Sequence, residues 1–141
     1  MIEIRRATPA DGAAVSALLD QLGYAASPVA AGERLRRLEM TGADPVFLAC
    51  DGADCLGLLA LHIAPMLQYA RPAARITALV VDARHRRSGV GRRLIAHAIA
   101  AAEAAGCELL ELTSALDRTD AHAFYRRLGF AANSLRFRKP L

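Results

Sequence analysis

Apolar and polar positions change rhythm repeatedly along this chain, and the changes divide it into short elements. Ile2 to Arg6 reads as a first strand. Thr8-Pro9-Ala10-Asp11 then carries a helix start: a capping hydroxyl, proline at the first helical position and an acid in the first turn. Ala14, Val15, Leu18, Leu19 and Leu22 recur at helical spacing, and Gly23 supplies a left-handed stop. Ser27-Pro28 repeats the start signal for a second helix, with Leu35 and Leu38 turned inward and an end near Gly42. Its Arg34, Arg36 and Arg37 fit a solvated face.

Val46 to Cys50 and Cys55 to Ile63 read as strands joined by the turn Asp51-Gly52-Ala53-Asp54. Ala64 to Pro72, broken by two prolines, is expected to be a loop near the substrate side. Ile76 to Val81 has no turn former until Asp82, which suits a strand buried on both faces. From Val90 the apolar stripe Val90, Leu94, Ala98, Ala101, Ala105 predicts a helix stopped at Gly106. Cys107 to Thr113 gives a strand, Asp117 to Leu128 a helix and Leu135 to Lys139 a last strand. The sum is β-α-α-β-β-β-α-β-α-β over one domain, residues 1–141: an α/β (α+β) fold with a mixed sheet of about six strands flanked by helices.

Composition narrows the function classes. A chain of 141 residues can bury one real core. No apolar run approaches the roughly 20 residues of a membrane span, and the opening MIEIRRATPAD lacks the apolar core of a signal peptide, so no membrane partner is expected. Cys50, Cys55 and Cys107 have no metal-ligand spacing, and His62, His85, His97 and His122 are scattered, so no metal is expected. Three cysteines, an odd number, suggest reduced thiols and a cytoplasmic setting.

The net charge of +4 is local. Five of the 18 basic residues, Arg84, Arg86, Arg87, Arg92 and Arg93, fall within one short stretch. Without them the basic residues number one fewer than the 14 acids. A nucleic-acid surface spreads its charge wider and interleaves aromatics, so nucleic acid is not an expected partner.

That stretch joins a strand to a helix through Arg86-Arg87-Ser88-Gly89-Val90-Gly91. Glycines at a helix mouth admit a ligand close to the backbone and leave N–H groups for an anion, typically a pyrophosphate. Arg86, Arg87 and Arg92 add bidentate countercharge. A Walker loop is excluded, since no lysine precedes Lys139, and a dinucleotide fingerprint fails because Leu94 stands where its third glycine belongs. The pattern Arg-x-x-Gly-x-Gly after "LVVD" resembles the acyl-CoA loop of the GNAT superfamily of N-acyltransferases. The later run "AHAFYRRLGF" resembles that superfamily's second signature. By periodicity alone that helix is a core helix, with Asp117 and Asp120 at capping-box spacing and Ala121, Phe124, Tyr125 and Leu128 on one face.

The resemblance implies a mostly antiparallel twisted sheet, acetyl-CoA as cosubstrate, and direct attack of a primary amine on the thioester. Arg86, Arg87, Ser88, Gly89, Val90, Gly91 and Arg92 would hold the pyrophosphate. Leu79, Val80, Val81, Phe124 and Tyr125 would line the acyl and pantetheine channel. Tyr125 would protonate the departing thiolate, and the Val81 N–H would stabilise the oxyanion. Many relatives have asparagine seven residues before this tyrosine; here Arg118 stands there. Some carry glutamate where this chain has Ala78, which leaves Glu111, His62 or water as the base. A lone histidine on an apolar strand is more often a hydrogen-bonded core residue. The ending "AHAFYRRLGF…LRFRKPL" is similar to a branch that includes aminoalkylphosphonate N-acetyltransferases, while peptide amino groups, aminoglycosides and polyamines stay open as acceptors. A homodimer pairing through Leu135 to Lys139 fits the same resemblance. The competing readings are a non-catalytic acyl-CoA sensor and a small basic nucleic-acid-binding domain.

Overall fold

A computed structural model describes residues 1–141. Five strands, β1 (Ile2–Arg6), β2 (Val46–Asp51), β3 (Asp54–Ala64), β4 (Ala73–Val81) and β5 (Leu109–Leu112), form one sheet in the order β1-β2-β3-β4-β5. Every neighbouring pair is antiparallel except β4 and β5, which run parallel. Four helices accompany it: α1 (Gly12–Leu22), α2 (Pro28–Thr41), α3 (Val90–Ala104) and α4 (Thr119–Arg127).

The helix ends follow their local chemistry. The Asp11 carboxylate accepts from the Thr8 N–H at 2.7 Å and from Arg5, opening a 3-10 turn (Pro9–Asp11) that leads into α1. Ser27 Oγ accepts from the Ala30 N–H at 3.0 Å and caps α2. Gly23 and Gly42 close these helices in the left-handed conformation.

The sheet separates two cores. On one face Val15, Leu18, Ala31 and Leu35 of α1 and α2 bury Leu48, Leu58 and Val80. On the other Val90, Leu94, Ile95, Ala98 and Ala102 of α3 cover Phe47, Leu59, Leu61 and Ile76. The inward stripe of α3 therefore runs through Ile95 and Ala102, while Ala101 is half-buried and Ala105 lies past the helix end, exposed. Gly57 lets α3 sit close: a Cβ there would stand 2.9 Å from both Leu94 Cδ1 and Val90 Cγ1.

Four expectations need correction. The strand at Leu135–Lys139 does not form, so the sheet has five strands; Phe130 to Leu141 carries no regular structure. Leu135 and Phe137 are 70% and 89% exposed, so the alternating segment has no apolar face to bury, and β5 offers an edge of only 4 residues. Cys50 and Cys55 are joined as a disulfide rather than held as thiols, because the hairpin register sets them directly opposite, Cα to Cα 4.0 Å. Cys107 alone is free. Asp117 does not cap α4; the helix opens after Arg118 without a side-chain cap, and the Asp117 carbonyl accepts from the Thr119 N–H. The Ile76–Val81 run is not buried throughout: Thr77 is exposed, and Leu79 and Val81 are half-buried.

Candidate active site

The last correction has a topological cause. β4 and β5 pair only from Ala73–Leu109 to Ile76–Leu112, after which β4 runs on to Val81 with no partner on that side. The parting coincides with a bulge: Ala60 pairs with Ala78 but Leu61 with Ile76, so Thr77 is the extra residue. Beyond it, the Asp82 N–H donates to Leu56 O of β3 at 2.7 Å. Alternation then turns the N–H groups of Val81 and Leu79 to the open edge. Val80 turns its backbone to β3 and its side chain into the opposite core, so it reaches the gap with neither.

At the top of β4 the chain is held firmly. Asp82 is buried and accepts from the Arg84 N–H at 2.9 Å and from Arg84 Nε at 3.1 Å. Gln21 on α1 donates to Asp82 at 3.3 Å and accepts from the Ala83 N–H at 2.9 Å. The Arg84 guanidinium, its N–H and Gln21 together hold the Asp82 carboxyl well below the usual carboxylate range. Arg84 is thereby spent on an internal ion pair. His85 lies behind the loop, 3.8 Å from Asp82, with Nδ1 buried and unbonded.

The loop that follows is the reverse: its backbone donors go unused. No backbone N–H from Arg86 to Arg92 meets an acceptor within the protein; the first bond of α3 runs from Arg93 N to Gly89 O. Gly89 is the N-cap at φ 84° and carries no capping side chain. Arg87 holds φ 62°, unusual for a residue with a Cβ. Ser88 Oγ donates to His85 O, bracing the turn. Arg86 Nε donates to Val81 O at 3.4 Å, on the open edge of β4. Arg86, Arg87 and Arg92 are exposed and form no ion pair with any carboxylate. Arg93, by contrast, is committed to Ile2 O at 2.7 Å.

Gly91 joins the parts. A Cβ there would stand 3.4 Å from Phe124 Cζ and 3.6 Å from Val81 Cγ2, so loop, β4 and α4 converge on this residue. Those are ordinary contacts, and the protein's own packing does not require glycine here. Glycine there keeps the outer side of the backbone clear for a close approach.

Tyr125 lies on the inner face of α4, edge-on to Phe124 at 5.5 Å and to Phe130 at 6.0 Å. Gly129 ends the helix at φ 93°, and the Phe130 N–H returns to Tyr125 O at 3.1 Å. The ring packs against the α3 core, yet the hydroxyl has no protein partner. Burial pushes the Tyr125 phenol up, with Arg118 opposing. The loop, β4 and α4 thus converge at Gly91, with Tyr125 next to the converging Phe124 on α4 and its hydroxyl unpartnered.

The family model of the acetyltransferase (GNAT) family matches residues 14–130. The chain belongs to the GNAT acetyltransferase family. Among GNAT relatives, an aminoalkylphosphonate N-acetyltransferase of Salmonella typhimurium is 37% identical over 94 residues, 67% of this chain and 61% of that protein. This chain therefore spans less than two thirds of that relative's length. A Bacillus halodurans protein described as a transcriptional regulator superposes at TM-score 0.92 with 26% identity over 100% of both chains. A Trypanosoma brucei acetyltransferase does so at 0.86 with 25% identity, again over 100% of each chain.

The histidines separate by environment. His97 packs edge-on to Phe47 at 4.6 Å, and His122 Nε2 meets Ala115 O at 2.8 Å. His62 is no core residue: its side chain is 47% exposed, and Nδ1 lies 2.5 Å from Asp44 Oδ1. Arg75 Nε and Nη2 both donate to Glu111 Oε1, at 2.9 and 2.6 Å. Sequence reasoning passed over Asp44, Arg75 and the Leu79 N–H. Alternation from Asp82 offered a signal for the last; only strand pairing brings Asp44 and Arg75 to their partners. No group of His, Cys, Asp and Glu able to hold a metal ion forms, and no helix is long and apolar enough to cross a membrane.

Proposed function

We propose that this protein transfers the acetyl group of acetyl-CoA to a primary amine. The observation that carries the reading is the run of unpartnered N–H groups from Arg86 to Arg92 opening onto the free edge of β4. Those donors and the guanidinium groups of Arg86, Arg87 and Arg92 suit a pyrophosphate, with Ser88, Gly89, Val90 and Gly91 shaping the turn. An extended arm bearing amides suits the open edge at Leu79 and Val81, beside Phe124. The Val81 N–H serves the oxyanion, and Leu79 offers a second donor on the same edge.

In the reaction the amine nitrogen forms a bond to the thioester carbon and the carbon–sulfur bond breaks. The thiolate takes its proton from Tyr125, whose hydroxyl is otherwise free. The tetrahedral adduct loses a nitrogen proton, and exchange with solvent restores the phenol. Holding both reactants in one cleft removes much of the entropic barrier. The relationship to an aminoalkylphosphonate N-acetyltransferase makes small aminophosphonates the first acceptors to try.

Thermal unfolding with and without acetyl-CoA tests the donor site. At a hundred times the dissociation constant the ligand should add about 2.7 kcal/mol, several degrees in a domain of this size, and the shift should survive moderate salt. Thiol release with aminoalkylphosphonates, then with simple alkylamines and peptides, tests transfer. Binding without thiol release for any amine would mark an acyl-CoA sensor instead.

A further inference from the structure

The phosphate loop is tied to the body of the protein at few points. Before it, the Asp82 N–H donates to Leu56 O of β3; after it, Arg93 reaches Ile2 O of β1. Between these, from Ala83 to Gly89, a single hydrogen bond leaves the stretch 81–93. It runs from the Ala83 N–H to Gln21 Oε1 of α1, at 2.9 Å.

The other polar contacts of this stretch move with it. Arg84 bonds Asp82 two residues away, Ser88 Oγ braces His85 O, and Arg86 Nε reaches Val81 O. Each closes a local ring and fixes the loop to neither helix layer. The Arg84 side chain is 79% exposed, so its ion pair is also screened by solvent.

Gln21 supplies the missing anchor. α1 lies on the face of the sheet opposite α3, so its amide reaches the loop from the other layer. The same amide donates through Nε2 to Asp82 Oδ2 at 3.3 Å. One group thus gives a hydrogen bond to the carboxylate and takes one from the next peptide. A glutamate has no donor for the first bond, and a lysine no acceptor for the second. A glutamate would also set another carboxylate against buried Asp82. The bracketed peptide is where the 3-10 turn Ala83–His85 begins, and that turn leads the chain into Arg86.

We propose that Gln21 is a positioning residue for acetyl-CoA: through Asp82 and Ala83 it holds the loop in the shape that receives the pyrophosphate. The inference rests on the acetyl-transfer reading. A loop already fixed loses less conformational freedom when its ligand arrives, so Gln21 acts on affinity. It touches no reacting atom, and the chemical step proceeds without it.

The test uses the full chain with acetyl-CoA and with S-acetylpantetheine, which keeps the thioester and arm but lacks the pyrophosphate. Gln21→Met preserves the length of the side chain and removes the bracket. Acetyl-CoA affinity, by calorimetry, should fall roughly tenfold. In thiol release with 2-aminoethylphosphonate, KM for acetyl-CoA should rise by the same factor with kcat unchanged. For S-acetylpantetheine, kcat/KM should not move. The Ala83 amide should exchange with solvent faster in the variant, at an unaltered unfolding midpoint. Gln21→Glu should bind more weakly still. Adding Asp82→Asn to it should recover part of the loss, since the new amide can donate where the carboxylate repelled. Unchanged acetyl-CoA affinity in Gln21→Met overturns the proposal while transfer stands. An equal loss with S-acetylpantetheine, or a lowered unfolding midpoint, makes Gln21 a support of the fold at large and overturns it too. Acetyl-CoA binding without thiol release in the wild type overturns transfer, and the affinity comparison still decides the role of Gln21.

Discussion

Gly57 of β3 and Leu94 of α3 meet with no room for a side chain between them; a methyl at residue 57 would stand 2.9 Å from Leu94 Cδ1. The mouth of α3 is thus aligned to the sheet through a glycine distant in sequence from the phosphate loop but packed against its Val90. Gly57→Ala should cost about 1–3 kcal/mol by overpacking. It should also weaken acetyl-CoA binding, because Val90 at the loop's exit is pushed by the same methyl. Chemical denaturation and a ligand-induced thermal shift on one preparation separate the two effects.

Gly89 and Gly91 should behave differently. At φ 84° an alanine at residue 89 is strained, costing about 1–2 kcal/mol. At residue 91 the new methyl makes only ordinary contacts with Phe124 and Val81, and alanine favours the helix, so stability should hold or rise by up to about 1 kcal/mol. Acetyl-CoA affinity should fall in both. Unaltered affinity in Gly91→Ala, by calorimetry, would mean that no ligand approaches the backbone there.

Removing the Tyr125 hydroxyl tests the acid. It has no protein partner, so Tyr125→Phe should leave stability within about 0.5 kcal/mol while lowering kcat on the order of tenfold to a hundredfold. Because burial raises this phenol above its usual value near 10, it stays protonated at neutral pH. Loss of the acid should therefore appear only on an alkaline limb above pH 10. A limb that survives in Tyr125→Phe belongs to another group.

Acid should loosen the N-terminal corner. Arg5 and the Thr8 N–H hold the Asp11 carboxyl down to about 2, against an ordinary value near 4. A depressed acid contributes its full stability above its ordinary value near 4 and loses it as pH falls through about 2. Asp11→Asn should cost about 1 kcal/mol at pH 7, in the range of a lost helix cap beside a solvent-screened ion pair, and the difference should shrink through pH 2 and vanish only below it. Unfolding midpoints of both proteins across that window check the convergence.

The features legible in the sequence were those set by neighbours a few residues apart. Ser27-Pro28, Gly23 and the Val90–Leu94–Ala98 spacing each act within a turn or two, and the helices they mark stand where expected. The Arg-x-x-Gly-x-Gly loop was equally local. Long-range pairing was opaque. That β4 outruns β5, or that Thr77 bulges, depends on registers between distant strands. The disulfide escaped notice because cysteine count speaks to compartment and says nothing of the register that faces Cys50 with Cys55. Leu135–Lys139 failed for the opposite reason: its alternation is strand-like, but alternation cannot supply a surface to cover.

The parted strands also bear on how the molecule is completed. A sheet normally satisfies its inner backbone with chain, yet here the upper half of β4 keeps one side vacant where a central strand would have two neighbours. An extended guest with its own amides can take that place as a surrogate strand. Loading would then be a last act of folding, and discharge of the spent carrier a small, reversible unzipping of the sheet.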